Sequence, residues 1–158
     1  MLTQKYVQSV FRLENGNLYW LGNRRGAQKN KPVGSFSGGG YLSCVLDGKH
    51  YLIHRIVYLH VHGILPMFID HINGNRQDNS VKNLRPATRA ENQQNMRRAF
   101  LTNKSGLLGA FYNKANKKWF SRICVDGRRL WLGTFDTAEQ AHEAYINAKR
   151  KLHLTCTI

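Results

Sequence analysis

The chain has 158 residues, enough for one medium-sized domain or two small ones. Lysine and arginine outnumber aspartate and glutamate by 24 to 9, and a net charge of +15 makes a polyanion, above all nucleic acid, the expected partner. The sequence contains no membrane-spanning apolar run and no leader, so we expect a cytoplasmic protein. Its three cysteines, Cys44, Cys124 and Cys156, are too far apart to indicate a disulfide framework or a cysteine zinc site.

The first third of the chain has the pattern of short strands joined by tight turns. Polar and apolar residues alternate from Met1 to Val10. Asn15-Gly16 and Asp47-Gly48 each lie between two arms of alternating apolar residues, a strong signal for a β-hairpin. The sequence therefore predicts at least two hairpins before residue 53.

A short buried helix is predicted for residues 54–62, where apolar side chains recur at helical spacing and Gly63 follows. A strand is the alternative for these residues. His54 at the start of the segment is interpreted as structural, and the pair that it forms with Arg55 is a candidate for contact with a DNA phosphate.

Residues 70–95 are crowded with asparagines and turn-forming residues. The apolar residues at 68–72 predict a strand, and residues 80–85 predict a second strand that stops at Pro86. The segment between them has the composition of a turn. Together they predict a strand, a loop and a second strand.

A helix is predicted to begin at Thr88, because Thr88 and Glu91 have the spacing of a capping box. Glu91 is therefore interpreted as a cap rather than as a catalytic acid. The two strands and this helix would gather four polar side chains into one place: Asp70, His71, Asn83 and Asn92.

These four side chains form a chemically coherent set. Carboxylate and amide oxygens are hard ligands that suit Mg²⁺ or Mn²⁺. A neutral histidine, with an ordinary pKa of about 6.5, can take a proton from water, and an asparagine carbonyl can hold its other ring nitrogen. A bound metal would stabilise the charge that builds on a phosphate. The alternative is an asparagine-rich turn with a hydrogen-bonded structural histidine.

The last third of the chain has a different pattern. Residues 98–106 are typical of a linker, and Asp126-Gly127 lies between two arms of a third predicted hairpin. A helix is predicted after Thr137, since Gln140 lies three residues further on and completes a capping box. Its alanine-rich stripe would pack flat on a three-stranded sheet.

The pattern IDHINGN…DN…NLR…EN resembles the HNH nuclease family with its ββα-metal core, in particular the phage and intron-homing branch that ends in asparagine. The match includes the 13-residue step from Asp70 to Asn83 and the 22-residue step to Asn92. The resemblance implies that Asp70 and Asn92 hold one divalent ion, Mg²⁺ or Mn²⁺. It also implies that His71 is the general base and that Asn83 orients His71.

Residues 109–145 resemble the AP2 DNA-binding domain, most closely in LWLGTFDTAEQAHEAY. In that family a three-stranded sheet enters the major groove, which implies DNA contacts by Arg129 and Trp131, with Arg122 on the same face. Phe111 and Asn113 replace arginines of the first strand, so the family's base preference does not transfer. Lysines of the first turn suit phosphate contacts: Lys114, Lys117 and Lys118.

These patterns predict an α+β protein. N-terminal β-hairpins and a ββα-metal HNH core would precede an AP2-like three-stranded antiparallel sheet packed on one helix. We expect a nuclease domain over residues 1–97, with a hairpin region at 1–53 and the core at 68–97. A linker at 98–106 and the AP2-like domain at 107–158 would follow.

The predicted function is a homing-type, metal-dependent DNA endonuclease that leaves a 5′-phosphate and a 3′-hydroxyl. We expect it to act on double-stranded DNA as a monomer, without a small-molecule cofactor or a membrane, in the cytoplasm of a phage-infected cell. The alternative is a non-catalytic DNA-binding regulator that keeps an HNH-like core. A zinc-dependent binder is disfavoured by the cysteine spacing.

Overall fold

The computed structural model describes residues 2–22, 28, 30–100, 102–153 and 155–157. The chain divides into two compact units, Met1–Thr88 and Arg89–Ile158. Both units mix helices with antiparallel strands, which confirms the predicted α+β class. The domain boundaries proposed from sequence stay predictions. In the part of the chain that the structure describes, no helix has the length and apolar character needed to cross a membrane.

The described residues of the first unit form two helices, seven strands and two short 3-10 turns. The elements in chain order are α1 (Gln4–Val10), β1 (Phe11–Glu14), β2 (Asn17–Trp20), β3 (Ser35–Phe36), β4 (Leu42–Leu46), β5 (Lys49–Leu52), α2 (Ile53–His62), β6 (Phe68–His71) and β7 (Leu84–Ala87). The 3-10 turns lie at Gly38–Gly40 and Val81–Asn83. The strands form three sheets, with orders β1-β2, β3-β4-β5 and β6-β7.

The N-terminal residues correct the expectation that the first third of the chain consists of strands alone. Helix α1 begins after Thr3, whose hydroxyl oxygen accepts a hydrogen bond from the Tyr6 N–H at 3.2 Å. Val7 and Val10, three residues apart, are buried on one side of the helix. Capping and helical spacing outweigh the polar-apolar alternation that favoured a strand.

The two N-terminal hairpins and the buried helix are confirmed. Strands β1 and β2 pair across Asn15-Gly16, and β4 and β5 pair across Asp47-Gly48. All four turn residues have positive φ angles between 49° and 80°, the left-handed region that such two-residue turns require. Helix α2 ends at Gly63, which also has a positive φ.

The core of the first unit lies around α2. The side chains of Ile56 and Val57 on this helix are fully buried, together with Phe11 and Leu18 from the first hairpin. The β6–β7 hairpin joins the same core through two further buried residues, Ile69 and Leu84. The core therefore fixes the backbone on either side of the Asp-His pair.

The β6–β7 hairpin carries the predicted site. In its register Asp70 lies opposite Arg85, and His71 lies opposite Leu84. Pro86 does not end the second strand as expected but lies inside β7, opposite Ile69. Both strands of a two-stranded sheet are edge strands, where a residue without an N–H is tolerated.

The second unit contains α3 (Arg89–Gln94), β8 (Ala110–Asn113), β9 (Lys118–Val125), β10 (Arg128–Phe135) and α4 (Ala138–Leu152). Strands β8, β9 and β10 form an antiparallel sheet, and α4 packs on it through the buried Ala141 and Ile123. Thr137 and Gln140 form the predicted capping box. Gly109 is required because an added Cβ would lie 2.0 Å from the ring of Tyr145. The predicted AP2-like arrangement of three strands and one helix is confirmed.

Candidate functional site

His71 is held by a neighbouring asparagine at the end of β6. The residue is only 4% exposed, and its Nε2 lies 3.2 Å from Oδ1 of Asn79. The Asn79 side-chain amide donates to the Gln77 carbonyl at 3.3 Å, which turns its oxygen toward the histidine. Nε2 of His71 therefore carries the proton, and the lone pair of the neutral ring lies on Nδ1.

The surroundings of His71 favour this neutral form. Burial lowers the pKa of His71 below 6.5, although the hydrogen bond to Asn79 and the charges of Asp70 and Asp78 act in the opposite direction. Hydrogen bonds from Ser80 lower the pKa of Asp78, so that carboxylate is charged. A neutral imidazole beside two carboxylates can accept a proton and is then stabilised as a cation.

Asp70 is buried and paired with a cation. Its carboxylate oxygen Oδ2 accepts hydrogen bonds from Arg85 Nε at 3.0 Å and from Nη2 at 2.7 Å. The side chain of Asp70 is 6% exposed and that of Arg85 is 27% exposed. The arginine compensates the carboxylate charge, which would otherwise be costly to bury.

Asp70 and Asn92 are the metal donors that the resemblance implies. A buried carboxylate and an amide oxygen fit a hard divalent ion that keeps several waters. Among the described residues no cluster of three or more His, Cys, Asp or Glu side chains could hold a metal. The oxygen donors of these two residue types are of the kind that a hard divalent ion takes.

Asn83 does not make the expected hydrogen bond to the His71 ring. Its Oδ1 accepts from the backbone N–H of Asn73 at 2.9 Å, and its Nδ2 donates to the Asp78 carbonyl at 2.7 Å. Asn79 contacts the ring instead. Both the spacing and the resemblance pointed to Asn83, and the sequence offers no local signal that separates the two asparagines. A role of Asn83 in the site stays a prediction. It would act by holding the loop at residues 73–78 in place.

The loop over residues 73–80 is held by its own polar side chains. Asn73 Nδ2 donates to Asp78 Oδ2 at 2.7 Å, and the Ser80 hydroxyl donates to Asp78 Oδ1 at 2.6 Å. The first hairpin packs against this loop: a Cβ on Gly16 would lie 2.4 Å from the Ser80 N and 2.6 Å from the Asn79 carbonyl carbon. The asparagine-rich composition therefore fixes the position of Asn79.

A cluster of rings around His71 was not predicted from sequence. The His54 ring on α2 meets the His71 ring edge-on at 5.0 Å, and the Tyr41 ring lies 5.2 Å from His54 and 5.9 Å from His71. Arg76 lies over Tyr41 at 4.9 Å and donates to the Gly39 carbonyl at 2.6 Å. His54 was interpreted as structural from sequence, since no partner ligand was evident near it. A single sequence does not reveal its contact with a residue 17 positions away.

Asn92 lies half-buried on α3, which belongs to the second unit. The C-terminal residues of that unit hold this helix. The Thr155 hydroxyl lies 3.1 Å from Gln94 Oε1, and the Thr157 hydroxyl donates to Asn95 Oδ1 at 2.9 Å. The buried Lys149 donates from Nζ to the Met96 carbonyl. The metal role of Asn92 stays a prediction.

The outer face of the β8-β9-β10 sheet carries the predicted DNA contacts. Arg122 on β9 lies opposite Trp131 on β10, and Arg129 occupies the same face two residues before Trp131. The Trp131 side chain is 61% exposed and stacks on Phe120 at 5.2 Å, and the Arg122 guanidinium lies 5.9 Å from the Phe120 ring. Phe111 also stacks on Phe120, with ring centres 5.4 Å apart. Aromatic rings and arginines thus share one surface that suits DNA.

The remaining predicted phosphate contacts differ in their surroundings. Lys114 and Lys117 are exposed in the turn between β8 and β9. Lys118 is exposed but forms an ion pair with Asp136. Arg55 on α2 donates to the carbonyls of Pro66 and Met67 at 3.1 Å, so it holds the chain that leads into β6. DNA contacts by these four side chains stay predictions.

Comparison with known proteins bears on this geometry. The family model described as HNH endonuclease matches residues 51–94, and the AP2 domain model matches residues 106–153. Over 86 residues the chain is 33% identical to "Protein 3.8" of Escherichia phage T7, an alignment that covers 54% of this chain and 69% of that protein. The chain belongs to the HNH endonuclease family. No solved structure matches it.

In this HNH protein the AP2 domain follows the nuclease motif, so both resemblances stated from sequence are confirmed. HNH and AP2 domains together indicate DNA binding. HNH nucleases generally use a divalent metal ion, in agreement with the donor chemistry of Asp70 and Asn92. The HNH match runs from β5 through α3 and therefore includes residues of both units.

Proposed function

We propose that this HNH protein is an active, metal-dependent endonuclease that cuts double-stranded DNA by hydrolysis. The observation that carries the proposal is His71, a neutral imidazole whose Nε2 proton is directed to Asn79 and whose lone pair lies on Nδ1. It stands next to the buried carboxylate of Asp70. A general base and a metal-binding carboxylate in adjacent positions are what phosphodiester hydrolysis requires.

In the proposed reaction Nδ1 of His71 takes a proton from the attacking water. The water oxygen forms a bond to phosphorus while the bond from phosphorus to the 3′-oxygen breaks, and that oxygen takes up a proton from solvent. The products are a 5′-phosphate and a 3′-hydroxyl. Asn79 keeps its hydrogen bond to Nε2 throughout, and the charges of Asp70 and Asp78 stabilise the imidazolium that forms.

A divalent ion, Mg²⁺ or Mn²⁺, bound by Asp70 and Asn92 would offset negative charge on the scissile phosphate. Arg85 holds Oδ2 of Asp70 and so fixes the orientation of the carboxylate. The assignment of Asn92 to this ion rests on the 22-residue step from Asp70 in the family pattern.

The AP2 domain would anchor the protein on DNA. The net charge of +15 attracts the phosphate backbone, and the face that carries Arg122, Arg129 and Trp131 supplies side chains that can meet base edges in the major groove. We extend the proposal to a homing-type enzyme that works as a monomer in the cytoplasm of an infected host. Its support is the family pattern and the phage relative.

Plasmid cleavage tests the proposed function. Purified protein is incubated with supercoiled plasmid in Mg²⁺, in Mn²⁺ and in EDTA. We expect nicked or linear products with either ion and none with EDTA. Retarded but intact plasmid in all three conditions would show a DNA-binding regulator instead. Ligation of the linear product reports the 5′-phosphate directly.

A further inference from the structure

The buried histidine at the start of α2 has no role in the reaction described so far. His54 is only 5% exposed, and its ring lies edge-on against the general base His71, with ring centres 5.0 Å apart. The Tyr41 ring covers it on another side at 5.2 Å. A polar ring is thus buried directly against the histidine that we propose as the general base.

The ring nitrogens of His54 lack a hydrogen-bond partner among the residues that the structure describes. A buried polar group is costly to leave unpaired, and phenylalanine would fill the same space without that cost. The nitrogens are not sealed from solvent, since they are not among the fully inaccessible unpaired atoms of this part of the chain. His54 therefore has ring nitrogens that solvent touches and that no described residue hydrogen-bonds.

The location of His54 favours an anion as the partner of these nitrogens. It is the second residue of α2, and Leu52 at the N-cap makes no side-chain hydrogen bond. The first turn of this ten-residue helix contains no acidic residue. Amide N–H groups at such an end and the positive end of the helix dipole attract negative charge.

His54 is neutral at physiological pH, and a neutral imidazole still has one N–H to donate. Burial, and then the nearby charges of His71 and Arg55, lower the pKa of His54 from 6.5 to about 3. At physiological pH the ring is neutral and carries one N–H. It can donate a hydrogen bond without competing with His71 for the proton of the attacking water.

We propose that His54 is a second catalytic histidine, which donates a hydrogen bond to an oxygen of the scissile phosphate beside His71. This inference rests on the proposed function, since it assigns a further residue to the same reaction. His54 supplies a fixed donor where negative charge develops, while His71 removes the proton from water.

Three substitutions separate hydrogen bonding from packing. His54→Phe keeps the ring volume and removes both nitrogens, and His54→Gln returns an N–H donor at similar reach. His62→Phe on the exposed part of the same helix is the matched control. For each protein we would measure the single-turnover cleavage rate at saturating enzyme, the Kd for DNA in EDTA, and the melting temperature.

We expect His54→Phe to lower the single-turnover rate about 10²-fold, with a Kd within twofold of the parent and an unchanged melting temperature. His54→Gln should recover at least a tenth of the parent rate, and His62→Phe should match the parent. A His54→Phe variant that cleaves within threefold of the parent would overturn the proposal and leave His54 a packing residue. Equal losses in His54→Phe and His54→Gln, with both proteins folded, would also overturn it. If the parent itself does not cleave, the proposed function fails first, and this assignment fails with it.

Discussion

The C-terminal tail should control the helix that carries Asn92. Helix α3 has six residues, less than two turns, and a helix of that length is not stable in water by itself. Hydrogen bonds from Thr155 to Gln94 in α3, and from Thr157 to Asn95 directly after it, therefore supply much of its stability. We expect the double substitution Thr155→Val, Thr157→Val to loosen α3 while keeping the shape of the tail.

The size of the loss in stability of α3 follows from the hydrogen bonds that the substitutions remove. Each threonine loses the one hydrogen bond that its hydroxyl proton donates to the segment 89–96, at about 0.5–1.5 kcal/mol net. Together they should lower the free energy of opening of α3 by about 1–3 kcal/mol. Because amide exchange reports that opening, protection of the segment 89–96 should fall about 5- to 150-fold. If Asn92 is a metal ligand, the Mg²⁺ midpoint for cleavage should rise as well.

Hydrogen exchange of the segment 89–96, followed by mass spectrometry, makes this measurement. Thr102→Val, the same change in an exposed turn of the same unit, is the control and should leave the protection unchanged. A chain that ends after Arg98 retains the whole predicted nuclease domain but loses every one of these contacts, so we expect it not to cleave. Protection within twofold of the parent in the double variant, or full cleavage by the shortened chain, would refute the reasoning.

Three further predictions concern single residues. Gly16→Ala should lower the free energy of unfolding by at least about 2 kcal/mol and reduce cleavage, because residue 16 has a φ of +80° and the new Cβ would meet the backbone of Asn79 and Ser80. Gly48→Ala is the matched control in denaturant melts, since Gly48 has a φ of +75° but open space around it. Asn79→Ala should slow single-turnover cleavage about 10- to 100-fold with unchanged DNA affinity, because the proton of His71 is then no longer held on Nε2. Asn75→Ala should cleave at the parent rate, and an Asn79→Ala rate equal to that of the parent would remove Asn79 from the site. Burial lowers the pKa of Lys149 in the folded protein below its ordinary 10.5, so between the folded and the unfolded pKa the unfolded chain binds more protons and the free energy of unfolding should rise with pH. Lys149→Met should abolish that rise in melts from pH 8 to 10.5. The same dependence of stability on pH in parent and variant would contradict this prediction.

Local chemistry was enough to predict much of the fold. Asn15-Gly16, Asp47-Gly48 and Asp126-Gly127 specify turns by their own backbone preferences, and each was found between paired strands. The capping box at Thr137 and Gln140 fixed the start of α4 in the same way. Such signals depend on neighbours within four residues, which a sequence displays directly.

Contacts over longer distances could not be predicted. The approach of His54 to His71 depends on how α2 packs beside β6, and no local pattern reports it. The choice of Asn79 over Asn83 as the partner of His71 depends on the conformation of a loop whose asparagines are chemically alike. The attachment of α3 to Thr155, and of the following Asn95 to Thr157, joins residues more than 60 positions apart.

The central claim is that His71 activates water for DNA hydrolysis. The direct test is the single-turnover cleavage rate of parent and His71→Ala at saturating Mg²⁺, with DNA affinity measured in EDTA as the control. Loss of a general base costs about 10²–10⁴-fold in rate. We predict a fall of that size with an affinity within twofold of the parent. A His71→Ala protein that cleaves within threefold of the parent rate would contradict the claim.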